Sequence, residues 1–331
     1  MPGGSFRRVW GGSRCYSSAS ALGKSVRWFE GSVVRLFRSL RNDRTTDHSN
    51  AFFEIAMVIP PDLAPERIQA RLRSRVIGRP LEVLGEVGST NDRVMAAGRD
   101  GAPEGLALIT DRQTAGRGRL GRPWASPPGV GLYTSMLLRP TLPARRAPLL
   151  TLVAGLAAVE AIENVAGLVS RLKWPNDLLV DGKKVAGILT ETASVESRVT
   201  YVVVGIGINV HHDAQDLPEE LRATATSLRL ATGRVIPRGD LAAEIYNGLD
   251  RWYREFTEGR FETILARGRE RSAILGSSVD VLAEDERWSG RAVDLDSDGA
   301  LLVRDGRGEL RRVVAAEVSI RSPSTQLRST T

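Results

Sequence analysis

Residues 173–190 read KWPNDLLVDGKKVAGILT, and the fold around them follows from the turn at their centre. Two apolar runs, Leu178–Val180 and Val185–Thr190, flank Asp181-Gly182. A glycine there tolerates positive φ, so the stretch predicts a tight β-hairpin. Pro175 fixes the chain direction at the end of a strand, which presents Asn176 and Asp177 at a turn rather than inside a ladder. Outward from the hairpin, Tyr201–Val210 is apolar and β-branched and predicts a central strand. Leu106–Thr110 and Leu132–Leu138 predict two more, the second ended by Pro140. Ala147–Ala166 predicts a long helix, apolar on enough faces to be buried, and Leu241–Phe256 with Phe261–Ile274 an amphipathic helical pair. Strands interleaved with helices in this way define an α+β domain around a central mixed sheet.

The two ends of the chain differ from this centre. From about Gly276 to Arg321, strands near Val279–Ala283, Trp288–Asp294, Leu301–Arg304 and Leu310–Val314 alternate with the turns Asp298-Gly299 and Asp305-Gly306. Short strands at that spacing predict a small β-barrel. Residues 1–56 are rich in Arg, Ser and Gly, which reads as an over-extended start with Met57 as the working initiator, as an organellar transit peptide, or as a disordered tail. Pro65–Arg75 predicts a short helix, with Ile68, Leu72 and Val76 on one face. The expected organisation is a leader at 1–56, a helix and linker at 57–80, the α+β domain at 81–275, the barrel at 276–322 and a tail at 323–331.

Composition limits the chemistry. The single cysteine, Cys15, excludes an internal disulfide or a thiolate metal cage. Only His48, His211 and His212 supply imidazole, which argues against a zinc enzyme or a histidine-centred hydrolase. The longest apolar stretch, Ala147–Glu160, is too short to cross a bilayer, so no membrane is expected. The net charge is +7, but residues 1–56 hold 9 basic and 4 acidic side chains, which leaves 37 against 35 for the rest. A nearly neutral body weakens a nucleic-acid reading.

Four short motifs carry candidate chemistry. Residues 111–131, DRQTAGRGRLGRPWASPPGVG, interleave Arg117, Arg119 and Arg122 with Gly116, Gly118 and Gly121. Glycines let backbone N–H groups approach an anion, and guanidinium forks donate in pairs to phosphate or carboxylate. The same loop reads equally as a solvated Arg-Gly segment or one that touches nucleic-acid backbone. Trp124 is either a core tryptophan or a platform for an adenine ring. Asn176 and Asp177 are either turn and cap residues or readers of an adenine edge and a Mg²⁺-bound phosphate. Lys184 abuts the apolar Val185-Ala186-Gly187 strand and is the better placed of Lys183 and Lys184 to enter a site. Gly88-Ser89-Thr90-Asn91-Asp92 marks a helix start, serving as an N-cap or as donors to a ligand carbonyl. Val204-Gly205-Ile206-Gly207-Ile208-Asn209 is a strand with two glycines, admitting close backbone approach or a bulge.

In this order, GSTND, QTAGRGRLGRPW, KWPND with KKVAG, and GIGIN resemble the catalytic domain of biotin protein ligases, over about Leu81–Arg321. The resemblance implies a class II synthetase-like domain with an SH3-like C-terminal barrel. It implies ATP-dependent activation of biotin to biotinyl-5′-AMP and transfer to a lysine of the biotin carboxyl carrier protein of acetyl-CoA carboxylase. By the same resemblance Ser89, Thr90 and Gln113 hold the ureido ring with Asn91 beside them, and backbone of Arg117-Gly118-Arg119 closes over it. Arg119, Arg122 and Lys184 bind carboxylate and phosphate, Trp124, Asn176 and Asn209 surround adenine, and Asp177 assists ATP and Mg²⁺. Gly116 lines the pocket, and Gly187, Gly205 and Gly207 leave space for the ligand. The electrostatics agree: a carboxylate is already a nucleophile at neutral pH, and two anions meet only among fixed cations. Asp177 is also the candidate to take the acceptor lysine's proton.

Some relatives in this family carry an N-terminal helix-turn-helix. Pro65–Arg75 alone cannot supply both scaffold and reader helices, so no operator binding is expected. The expected location is cytoplasmic, the expected assembly a monomer or homodimer. Two other readings compete with this one. A lipoate ligase would want an apolar lining in place of Ser89, Thr90 and Gln113. A basic nucleic-acid module would lose affinity steeply with salt.

Overall fold

The computed structural model describes residues 59–141, 146–195, 198–283, 286–314 and 316–320. The leader 1–56, with Cys15 and His48, and the tail 323–331 lie outside the described residues. Seven strands form the central sheet: β1 (Leu81–Val87), β2 (Ala107–Gln113), β3 (Gly131–Leu138), β4 (Arg171–Lys173), β5 (Asp177–Val180), β6 (Lys183–Val195) and β7 (Arg198–Asn209). Their order is β1-β2-β3-β7-β6-β5-β4, with β1 and β2 parallel and every other pair antiparallel. Among the described residues six α-helices accompany them: α1 (Pro65–Gln69), α2 (Thr90–Arg99), α3 (Pro148–Ala166), α4 (Leu228–Thr232), α5 (Arg238–Thr257) and α6 (Phe261–Glu270).

Both faces of the sheet are covered, which is why its middle strands read as continuous apolar runs rather than alternating ones. Met136, Leu138, Val202 and Val204 point into the core shared with α3 and α5. Their neighbours Leu137 and Val203 point the other way, against Val94 of α2. The helix α3 has 19 residues, mostly apolar and mostly buried. The apolar segment is thus longer than the Ala147–Glu160 stretch suggested, and by length and composition it could cross a bilayer. Here the chain packs it between the sheet and α5, as a core helix.

A second sheet follows: β8 (Ser278–Ala283), β9 (Glu286–Leu295), β10 (Leu301–Asp305), β11 (Leu310–Val313) and β12 (Glu317–Ile320), all antiparallel in the order β11-β10-β9-β8-β12. It is the small β domain expected from the alternating turns. Trp174 of the KWPND turn donates its indole N–H to the Gly299 carbonyl at 3.0 Å and so ties the two sheets together.

Two helices end earlier than their apolar spacing predicts, and in each case a distant partner takes the backbone. The α1 helix stops at Gln69 rather than Arg75. The N–H groups of Arg73 and Ser74 donate to Asn247 Oδ1 at 2.7 and 3.0 Å, and those of Val76 and Ile77 to Asp250 Oδ1 at 2.8 and 3.1 Å. Side chains of α5 thereby replace the helical carbonyls. The α6 helix stops at Glu270 rather than Ile274, because Leu172 N–H donates to the Arg271 carbonyl and Ala273 N–H to the Leu172 carbonyl. That segment joins the edge of β4 instead.

Candidate active site

A cavity of about 940 Å³ opens where the C-terminal ends of β2 and β7, the start of α2, the 114–126 loop and the KWPND turn meet β8 and β12 of the second sheet. It collects all four motifs. Ser89, Thr90, Asn91, Gln113, Gly116, Arg117, Gly118, Arg119, Arg122, Trp124, Asn176, Asp177, Lys184, Gly187, Gly205, Gly207 and Asn209 all line it.

Lys184 reaches this cavity through a register shift. Asp177 pairs with Gly187 and Leu178 with Ala186, but Leu179 pairs with Lys184, leaving Val185 as the extra residue of a β-bulge. Directly paired residues share a face of the sheet, so the bulge puts Lys184 on the face of Asp177 and Gly187; regular alternation would put it on the other. The consequence is an ion pair of 2.6 Å between Lys184 Nζ and Asp177 Oδ1. Lys173 pairs in register with Asp177 across β4 and β5, and its Nζ lies 3.8 Å from Oδ2. Lys183 faces solvent.

The Arg-Gly loop is a small hairpin. Trp124 N–H donates to the Gly116 carbonyl at 2.9 Å and Gly118 N–H to the Arg122 carbonyl at 2.7 Å. Its tip is Arg119-Leu120-Gly121, where Leu120 takes φ +57° with its side chain exposed. That left-handed geometry turns the chain sharply, and Arg119 and Arg122 on either side of it both reach the second domain, while Arg117 turns to Asp92 and Glu191. Arg119 is half-buried; its Nη1 donates to the Ala316 carbonyl at 3.4 Å, which spans the two domains. Burial pushes its pKa below the usual value, and the Asp177 and Glu317 carboxylates oppose that fall. Arg122 pairs with Glu317 of β12. Arg117 pairs with Asp92 at 2.5 Å and Glu191 at 3.4 Å. Arg119, Arg122 and Lys184 all line the cavity; Arg119 lies within electrostatic reach of both Asp177 and Arg122, while Arg117 is turned to Asp92 and Glu191.

A directed chain of hydrogen bonds runs along another wall. Ser135 Oγ donates to Thr90 Oγ1 at 2.7 Å, Thr90 Oγ1 to Gln113 Oε1 at 3.0 Å, Gln113 Nε2 to Ser126 Oγ at 3.0 Å, and Ser126 Oγ to the Trp124 carbonyl at 3.0 Å. Ser89 caps α2, accepting from Asp92 N–H at 3.4 Å. Asn91, expected beside the ligand, is occupied by protein: its Oδ1 lies 2.6 Å from Ser135 Oγ, and its Nδ2 donates to Glu191 at 2.7 Å and to the Leu189 carbonyl at 3.2 Å.

The glycines make room for side chains as much as for a ligand. A Cβ on Gly205 would fall 2.1 Å from Asn91 Oδ1, one on Gly207 2.7 Å from Trp124 Nε1 and one on Gly187 3.0 Å from the same indole. Trp124 lies on the Gly187 and Gly207 backbone with Lys184 Nζ 5.3 Å from its ring centre. Its indole N–H is buried without a protein hydrogen-bond partner. Asn176 Nδ2 donates to the Ile188 carbonyl and Asn209 Nδ2 to the Thr226 carbonyl, at 2.9 and 3.0 Å, which fixes both amides at the rim.

Sequence reasoning passed over three contributors. Lys173 stood inside the KWPND motif and was legible there. The 212–225 segment, with His212 and Asp216, carries no motif. Asp280, Arg287 and Glu317 come from the second sheet, and only tertiary packing brings them to the cavity. His212 is 1% exposed. Burial pushes its imidazole down to about 4, opposed by Asp216, reinforced by His211, and opposed by the Val130 carbonyl. A free histidine titrates near 6.5. Above that pH the ring is neutral in both states. Below it the unfolded chain binds a proton that the folded ring refuses, so stability falls as pH drops from about 6.5 to about 4, by on the order of 3 kcal/mol. His212→Gln should flatten that part of a denaturation-versus-pH curve; an unchanged acid limb would show that the ring is not held neutral.

Fold and cavity together define a two-domain ligase of the biotin and lipoate type: residues 87–209 match the biotin/lipoate A/B protein ligase family, and residues 274–321 match the biotin protein ligase C terminal domain. The chain is 35% identical over 261 residues to the bifunctional ligase/repressor BirA of Bacillus subtilis, covering 79% of this chain and 80% of that protein. It is 35% identical over 256 residues to the biotin--[acetyl-CoA-carboxylase] ligase of Mycobacterium tuberculosis, covering 74% and 92%. A structure of the biotin protein ligase from Aquifex aeolicus in complex with biotin and ATP superposes with a TM-score of 0.63 at 34% identity, over 73% of this chain and 99% of that one. The chain belongs to the biotin protein ligase family.

Proposed function

We propose that this enzyme activates biotin with ATP to biotinyl-5′-AMP and transfers the biotinyl group to a lysine of a biotin carboxyl carrier domain. The observation that carries this reading is the convergence of Arg119, Lys184 and Asp177 on a cavity that also holds the Thr90–Gln113–Ser126 chain. The chain of hydroxyls and amide suits a ureido head, which offers two N–H donors and a carbonyl. In the first step a biotin carboxylate oxygen attacks the α-phosphorus, the bond to the β-phosphate breaks, and its electron pair leaves with pyrophosphate. Fixed cations lower the repulsion between the two reactants.

Among the described residues no group of three or more His, Cys, Asp and Glu side chains is placed to hold a metal ion. Both oxygens of Asp177 face ammonium groups. A resident Mg²⁺ on Asp177 does not fit this arrangement, and Mg²⁺ is assigned instead to the triphosphate as its counter-ion. The same two ion pairs argue against Asp177 as the base for the acceptor lysine. Its role is to space and orient Lys184 and Lys173. The acceptor amine attacks the acyl carbon as the free base, AMP leaves with the bonding pair, and the amine's proton goes to solvent.

Trp124 offers the adenine a flat, apolar surface with an unpaired N–H, with Asn176 and Asn209 at the rim. Gly207→Val displaces the indole, and misplacement by about 1 Å is enough to slow adenylate formation roughly 10²-fold. Steady-state kinetics should show a raised KM for ATP with the biotin KM little changed; a wild-type ATP KM would remove Trp124 from the nucleotide site. The function itself is tested by exchange of labelled pyrophosphate into ATP. Exchange that depends on biotin supports the reading, and exchange driven by lipoate alone reverses it.

A further inference from the structure

A second cavity, of about 370 Å³, lies behind the KWPND turn and shares Arg119, Ile188 and the whole stretch 173–177 with the first. The two spaces meet at one carboxylate. Asp177 Oδ1 holds Lys184, which lines the large cavity only, and Oδ2 faces Lys173, which lines both. The charged side chains around the second cavity are Arg119, Lys173 and Asp177. With Asp177 already balanced by Lys184, that space is left cationic. Its remaining walls, among them Thr151, Thr190 and Leu152, add hydroxyls and apolar surface but no further carboxylate.

Resting on the proposed adenylation, we infer that Lys173 is a further catalytic residue, which binds the departing pyrophosphate in this second cavity while Lys184 serves the incoming carboxylate. In an in-line displacement the nucleophile and the leaving group lie on opposite sides of the phosphorus, so charge must be stabilised on both. Two lysines held on the two oxygens of a single aspartate meet that requirement. The carboxylate oxygen forms its bond to the α-phosphorus, the α–β bridging bond breaks, and the electron pair on the departing oxygen is met by Lys173 and Arg119. No proton transfer is needed. The same cations make this cavity a poor entry for the acceptor lysine, whose ammonium group they repel.

The full chain is assayed in three ways: pyrophosphate exchange, the KM for pyrophosphate in that exchange, and transfer to a carrier domain from added biotinyl-5′-AMP. Lys173→Gln should slow adenylate formation about 10²-fold and raise the pyrophosphate KM, with the biotin KM and transfer from added adenylate within twofold of wild type. Lys173→Arg should recover most of the rate. Val314→Glu changes an exposed residue lining the same cavity without touching the core, and should also raise the pyrophosphate KM. An unchanged pyrophosphate KM in both Lys173→Gln and Val314→Glu, or transfer from added adenylate slowed as much as its formation, would overturn the inference. Absence of biotin-dependent exchange in the wild-type enzyme would instead sink the function on which it rests.

Discussion

Lys184→Gln should reduce biotinyl-5′-AMP formation by about 10²- to 10³-fold, the loss typical when one preorganised donor to developing charge is removed. The amide is one atom shorter, stays polar and removes the charge. Its neighbours cannot substitute for it: Arg122 is held by Glu317 and Arg117 by Asp92 and Glu191, while Lys173 meets the other oxygen of Asp177. The fold should barely respond, because the pair is partly exposed and such pairs contribute only about 0–1 kcal/mol. The expected signature is therefore a collapse of pyrophosphate exchange at an unchanged midpoint of urea unfolding. A variant retaining a tenth or more of the wild-type exchange rate would show that Lys184 does not carry the reaction.

Arg238→Met should cost about 3–5 kcal/mol of folding stability. Arg238 opens α5 and is 2% exposed. It donates to Asp62 at 2.8 and 2.9 Å, to Asp111 at 2.6 Å and to the Gly131 carbonyl at 3.1 Å. One guanidinium thus joins the N-terminal segment, β2 and β3. Methionine replaces the aliphatic stem but not the guanidinium and leaves Asp111 buried without its counter-charge, which is why the loss exceeds that of a surface pair. Asp111 also accepts from Gly129 N–H at 3.0 Å and anchors the far end of the Arg-Gly segment. Adenylate formation should therefore fall together with stability. Adding Asp111→Asn to Arg238→Met should recover part of the loss in a urea titration; strictly additive losses would mean that the two groups are not coupled.

Much of the architecture was legible because its signals are local. Asp181-Gly182 marks its hairpin through one residue's tolerance of positive φ, and Gly182 does take φ +76°. The apolar runs Leu132–Leu138 and Tyr201–Val210 predict strands, and the structure has β3 at Gly131–Leu138 and β7 at Arg198–Asn209. Helix ends were less legible. Nothing between Pro65 and Ile77 announces that Asn247 and Asp250 will take its N–H groups from more than 170 residues away.

The site divides in the same way. Residue types by themselves determined that anions could be met by arginines, lysines and glycine-rich backbone without histidine, because charge and hydrogen-bonding capacity belong to the side chains themselves; that the anions are a carboxylate and a phosphate followed from the motif order's resemblance to biotin protein ligases. Which of those cations converge was decided only by the tertiary structure. The extra residue at Val185 brings Lys184 onto the face of Asp177, and the left-handed Leu120 sends Arg119 and Arg122 toward β12. Both depend on backbone register and on a second sheet distant in sequence. A one-residue slip in a strand reverses which side a side chain takes, and the identity of that residue does not record the slip.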